Sequence, residues 1–220
     1  MDKIPFSVYD FFGYLSSGVV VLFSATYSYQ GTEAFDIDLG VAQILLSVVG
    51  AYVIGHVVAA MSSFLLERRL TRGVIGSPTD LLFEQEATEG WRRVFGQYHK
   101  PLPEKTAERV LSKAKKAASI ESPGEALFFH CFGVVRQDEY PRQRLATFLN
   151  LYGFARNVAM AALIGAVMIG VSVFFNDRVD QALLWAGSLL TLLVSVAMYF
   201  RYLKFYRQYS VELYVTYAEM

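Results

Sequence analysis

The sequence predicts an all-α integral membrane protein: four transmembrane helices, with a helical cytoplasmic insert between spans 2 and 3. Three observations predict it. Phe11 to Thr32, Leu39 to Leu66, Asn157 to Asn176 and Gln181 to Phe200 each run 20 or more residues without a formal charge. Hydrophobic residues make up 54% of the chain and charged residues 18%, against about a quarter charged in ordinary globular proteins. Fifteen of the 20 Lys and Arg residues lie between Glu67 and Arg156. A hydrocarbon core of ~30 Å needs about 20 helical residues, because an α-helix rises ~1.5 Å per residue. A helix also satisfies its own backbone hydrogen bonds in lipid.

Residues 1–66 read as a transmembrane hairpin, with spans over about 9–30 and 39–66. The second run is 28 residues long, which predicts tilt or a helix that continues past the membrane. The connection from Thr32 to Asp38 holds Glu33, Asp36 and Asp38 and no base. Residues 151–200 form a second hairpin, whose connection around Asp177 to Asp180 holds the single base Arg178. Basic residues that flank spans are retained in the cytoplasm. The two short connections are therefore expected outside, with residues 67–156 and both termini inside the bacterial inner membrane. The first ten residues are no basic n-region, and the first span is expected to act as its own insertion signal. A lone cysteine, Cys131, excludes a disulfide framework and suits a reducing cytosol.

The insert, residues 67–150, reads as helical. Ser77-Pro78-Thr79-Asp80 predicts a helix start, with Leu81, Leu82, Trp91, Phe95 and Tyr98 on one side. A second helix is expected from near Pro103 through Lys113, Lys115 and Lys116. Ser122-Pro123-Gly124-Glu125 reads as a capping box that opens a short helix with Leu127, Phe128, Phe129 and Phe132. From Pro141, the apolar residues Leu145, Phe148, Leu149, Tyr152 and Phe154 lead straight into span 3. Residues 201–220 form a tail helix, and an aromatic ladder begins at Tyr199 and runs along it to Tyr217. It is expected to pack on the insert, on a neighbouring subunit or on the membrane surface.

Small residues recur every four positions in span 2, at Ser47, Ala51, Gly55 and Ala59. Such ridges let helix backbones approach closely in lipid, and this one predicts tight packing within the chain or in a homo-oligomer. His56 is the ionisable side chain well inside a span, and intramembrane ionisable groups are functional candidates. With the hydroxyls of Ser16, Ser17 and Ser24 it is a candidate lining of a polar path. Asp10 and Arg156 stand at the edges of spans 1 and 3, where an ion pair between them is a second expectation. Arg92, Arg93, Arg142 and Arg144 are the candidate ligand-binding residues, because guanidinium groups recognise phosphate bidentately. The candidate ligand is accordingly a nucleotide or oligonucleotide. The sequence carries no Gly-rich phosphate loop, no HExxH and no His pair at metal-ligand spacing. It predicts no enzyme, no cofactor and no metal.

In its plan of two hairpins around a compact cytosolic module, the chain resembles the small four-span membrane proteins of bacterial anti-phage defence, of Hailong and Kiwa type. The resemblance covers the whole layout and rests on no motif, although Tyr9-Asp10-Phe11-Phe12-Gly13-Tyr14 and Phe154-Ala155-Arg156-Asn157 have the look of signatures. It implies an oligomeric channel or pore that depolarises the membrane when a cytosolic signal, a nucleotide product, binds. The alternative is a non-conducting anchor or sensor that recruits a soluble cytoplasmic partner protein.

Overall fold

The computed structural model describes residues 8–36, 38–83 and 94–220. Every regular element among them is helical. Helix α1 covers Val8–Gln30 and leads through a 3-10 turn, Gly31–Phe35, to α2, Val41–Ser62. A π-helix follows directly over Ser63–Ile75, and α3 is a single turn, Pro78–Leu81. Next come α4, Glu104–Ala118, and α5, Glu125–Val135. Two long helices complete the chain: α6, Glu139–Ser172, and α7, Gln181–Glu219. Helices α1, α2, α6 and α7 are long and apolar enough to cross a membrane.

The chain divides into two compact units. The first comprises Met1–Arg68 and Gly153–Tyr202, the second Arg69–Tyr152 and Leu203–Met220. Helices α6 and α7 each pass unbroken from one unit to the other.

In the first unit α6 is the central rod. Of its apolar window 56% is buried, against 11% for α7. Its alanines make this possible: Ala155, Ala159, Ala161 and Ala162 are fully buried, and short side chains let neighbouring helices come close. Two α7 hydroxyls donate into α6, Ser188 to the Ala166 carbonyl (2.9 Å) and Ser195 to that of Ala159 (2.8 Å). Helices α1 and α2 touch backbone to backbone. A Cβ placed on Gly18 would stand 1.7 Å from the Ala51 carbonyl oxygen, and one on Gly55 would stand 1.9 Å from that of Tyr14. Ala51 and Gly55 thus serve contact inside the chain, whereas Ser47 is exposed and Ala59 half-buried.

The second unit has an ordinary hydrophobic core. Leu82, Val110, Leu127, Cys131, Val135 and Leu145 gather around Tyr209, Leu213, Tyr214 and Tyr217 of α7. The aromatic tail therefore forms the middle of this unit. Its buried positions, 203, 206, 209, 210, 213, 214 and 217, follow the three-and-four spacing of one helix face.

Two local expectations change. The helix started by Pro78 lasts only to Leu81, so Leu82 and Tyr98 reach the core from separate segments; Trp91 lies outside the described residues. Ser122 is no cap: α5 begins after Gly124, at φ 136°, with no side-chain hydrogen bond at its N-terminus. The long second run does continue as a helix, as expected, but it changes its winding after Ser62. Its extension is π-helical, with Ser62, Leu66, Glu67, Thr71 and Ile75 buried. That spacing of four to five suits a helix wound more loosely than 3.6 residues per turn.

Replacing Gly55 with Leu forces α1 and α2 apart and should cost on the order of 1–3 kcal/mol or more. Gly50→Ala, with nothing within 4 Å of the added carbon, should be neutral. Thermal unfolding in detergent distinguishes the two, and equal midpoints would contradict the contact.

Candidate functional site

The first unit holds a buried polar network in otherwise apolar surroundings. Arg156 of α6 pairs with Glu67 of the π-helix, their side chains 14% and 9% exposed. The same guanidinium donates to the Ser62 hydroxyl through Nε (3.1 Å) and to Asn157 Oδ1 (3.4 Å). Ser62 in turn donates to Asn157 Oδ1, at 2.7 Å. The chain builds this network where α2 gives way to the π-helix, opposite the first charged residue before span 3. A buried carboxylate and guanidinium are tolerable together because each neutralises the other and further hydrogen bonds hold the geometry. Glu67 and Arg156 lie 89 positions apart, and no local pattern announces their pairing. Sequence reasoning placed Arg156 with Asp10, whose side chain lies outside the described residues.

The far end of the π-helix is fastened within the second unit. Tyr98 donates its hydroxyl to the Gly76 carbonyl (3.1 Å). The buried His99 ring places Nε2 at 3.2 Å from the Ile75 carbonyl and Nδ1 at 3.1 Å from that of Phe95. Gly76, at φ +109°, ends the segment in a backbone region that favours glycine.

Of the hydroxyls expected along a polar path, Ser17 and Ser24 are turned back on their own helix, as is that of Thr26 on the same span. Ser17 donates to the Tyr14 carbonyl (2.9 Å), Ser24 to that of Val20 (2.8 Å) and Thr26 to that of Leu22 (3.0 Å). Ser17 and Ser24 are buried at helix contacts, and Ser16 is half-buried. His56 is exposed on the outer side of α2. Its ring stacks on Tyr14 at 4.0 Å and meets Tyr52 edge-on at 4.7 Å.

The arginines proposed for ligand binding are only partly placed. Arg92 and Arg93 lie outside the described residues. Arg142 is exposed. Arg144 is engaged by Glu212 at 2.9 Å and lies over the Tyr140 ring. Other cations of the second unit also serve the fold. Lys113 donates to the Tyr217 carbonyl at 2.9 Å, meeting the negative end of α7. Arg207 donates to the Lys100 carbonyl at 2.7 Å, and desolvation pulls its pKa down. Burial pushes the Cys131 thiol up to about 12 and the Tyr209 phenol likewise. Among the described residues no group of three or more His, Cys, Asp or Glu is placed to hold a metal ion.

Comparison with family models, with curated proteins and with solved structures gives no match.

Two predictions follow from the geometry. Glu67→Gln or Arg156→Met alone leaves one buried group without its partner, a loss of about 3–5 kcal/mol. The double variant should recover much of that loss, and strict additivity in thermal melts would refute the coupling. At pH 8 the Cys131 thiol stays protonated, because its pKa is raised to about 12. Maleimide should therefore label the native protein at least tenfold more slowly than the denatured chain, and equal rates would contradict its burial.

Proposed function

We propose that this chain is a multi-pass protein of the bacterial inner membrane, with both termini and residues 67–156 in the cytoplasm. In this reading it works as an oligomeric membrane effector: an ion channel or pore gated by a cytosolic, nucleotide-like ligand, in the manner of anti-phage defence. The observation that carries the membrane part is the outer surface of the four long helices. Phe12, Val41, Leu46, Val167 and Leu190 are 54%, 76%, 72%, 57% and 65% exposed, which water would penalise at ~1.5–3 kcal/mol per side chain and lipid would not.

Two features support gating. Helices α6 and α7 each supply residues to the spans and to the second unit, so a ligand-induced change in that unit acts on the helices that also form the spans. The Glu67–Arg156 network adds an element with two well-separated arrangements, since either charge left buried without the other is strongly unfavourable. Since the Ser17 and Ser24 hydroxyls close on their own helix and those of Ser188 and Ser195 on α6, conduction requires several copies around an apolar constriction that opens by wetting. Of the arginines proposed for a phosphate-bearing ligand, Arg142 and Arg144 are exposed, and Arg144 is paired with Glu212.

One observation favours the second reading, a non-conducting anchor that recruits a soluble protein. The second unit exposes Phe129 (59%) and Tyr140 (70%), the aromatic type of residue that anchors protein interfaces.

Purified protein in detergent and in liposomes separates the two. The channel reading expects a mass several times that of one chain, and ion flux that rises at least tenfold when cytosolic nucleotide extract is added. A monomer that never conducts refutes it, and a stoichiometric protein partner without flux establishes the anchor.

A further inference from the structure

The oligomeric reading above leaves the contact between copies unassigned, and the small-residue ridge of α2 does not supply it. Ala51 and Gly55 are already used against α1. A different face of the same helices remains. The His56 ring lies flat on Tyr14, at 4.0 Å and 23°, and receives the edge of Tyr52 at 4.7 Å and 88°. Phe11 extends the cluster, 5.4 Å from Tyr52. The cluster is fixed in place, because Gly55 and the Tyr14 carbonyl, its immediate neighbours, make one of the tightest backbone contacts in the first unit.

Three hydrogen-bonding tips stand on this face: the imidazole of His56 and the hydroxyls of Tyr14 and Tyr52. None has a hydrogen-bond partner among the described residues. Helix arithmetic gives their depth. From Val41 to His56 is ~22 Å and from Tyr14 to Gln30 is ~24 Å along the axis, at 1.5 Å per residue. In a hydrocarbon layer of ~30 Å Tyr14 and His56 lie about 6–8 Å inside the boundary on the insert side, and Tyr52, one helical turn before His56, about 6 Å deeper. Acyl chains at that depth offer neither donor nor acceptor, so three unmatched polar groups call for an occupant with polar groups of its own.

We propose that this face is the contact with a second copy of the chain, resting on the membrane-embedded, oligomeric reading. A neutral imidazole has one donor and one acceptor nitrogen, and a phenol both donates and accepts. The patch is therefore complementary to itself, as an interface across a twofold axis must be. One tyrosine hydroxyl of one copy donates to the acceptor nitrogen of the other copy's imidazole, whose N–H donates in turn to a tyrosine oxygen. Around the polar tips Phe11, Phe12, Val53 and Val57 are exposed, at 43%, 54%, 58% and 57%. They supply the close van der Waals packing that drives association in lipid, where interhelical hydrogen bonds from histidine side chains are one of the available attractions.

Cysteine crosslinking in native membranes tests this. The buried Cys131 stays silent, and Val53→Cys is placed beside His56 with Leu190→Cys on α7 as control. Oxidation should convert Val53→Cys to a dimer with at least tenfold the yield of Leu190→Cys. His56→Phe added to Val53→Cys should lower that yield at least fivefold, and His56→Gln, which keeps a donor and an acceptor, should restore it. Equal yields at the two cysteine positions, or no change with His56→Phe, overturns the assignment. So does an anionic phospholipid that co-purifies with the wild type and is lost in His56→Phe, because the occupant is then a headgroup. Light scattering of the same preparations separates this failure from a broader one. An oligomer without the Val53 crosslink removes only this interface, whereas a monomer removes the oligomeric reading itself.

Discussion

Solvent is the constraint on which the rest of this structure depends. The outer sides of α2 and α7 present Val41, Leu46, Val49, Leu189, Leu190 and Leu193 at 58–76% exposure. In water these positions would drive association or collapse, and a four-helix arrangement with α6 at its centre would have no reason to stop there. In lipid they are neutral, and packing is decided by what remains: small residues, backbone proximity and hydrogen bonds between helices. The structure is arranged in those terms. Gly18 and Gly55 bring backbones into contact, alanines line the central rod, and serines of α7 donate into α6.

The polar features can be read against the same background. A charge pair as enclosed as Glu67 and Arg156 gives little net stability, since desolvation offsets most of its attraction. It does impose a geometry, and it imposes it at the point where α2 changes its winding. The π-helix is itself an unusual conformation; such segments are ordinarily single-turn bulges and gather at functional positions. With the Glu67–Arg156 network near its start and the Tyr98 and His99 hydrogen bonds at its end, its extent is set by side chains at each terminus.

Much of this was legible in the sequence, and the rest was hidden for physical reasons. Charge-free runs of 20 or more residues determine long helices directly, because length and hydropathy are local properties. The starts of α4 and α6, near Pro103 and Pro141, are also local, and proline marks them. The capping role of Ser122 failed because Gly124 bends the chain at a φ of 136°, leaving the serine outside the helix. The spacing of the tail tyrosines announced a buried face, but not what it would bury against, which depends on how the insert folds. The pairing of Glu67 with Arg156 and the outward stacking of His56 on Tyr14 join residues from different helices, and no short window of sequence contains either. The small-residue ridge shows the same limit: it specified close packing without choosing between a helix of the same chain and one of another.

Nitroxide labels introduced in turn at Leu46 and Val49 of α2 and at Leu189 and Leu193 of α7, in protein reconstituted into vesicles, address the central claim most directly. Lipid contact predicts relaxation by dissolved oxygen and protection from a water-soluble nickel chelate at all four sites. Strong relaxation by the nickel chelate at these positions would mean that water surrounds the four apolar helices, and the account would be wrong.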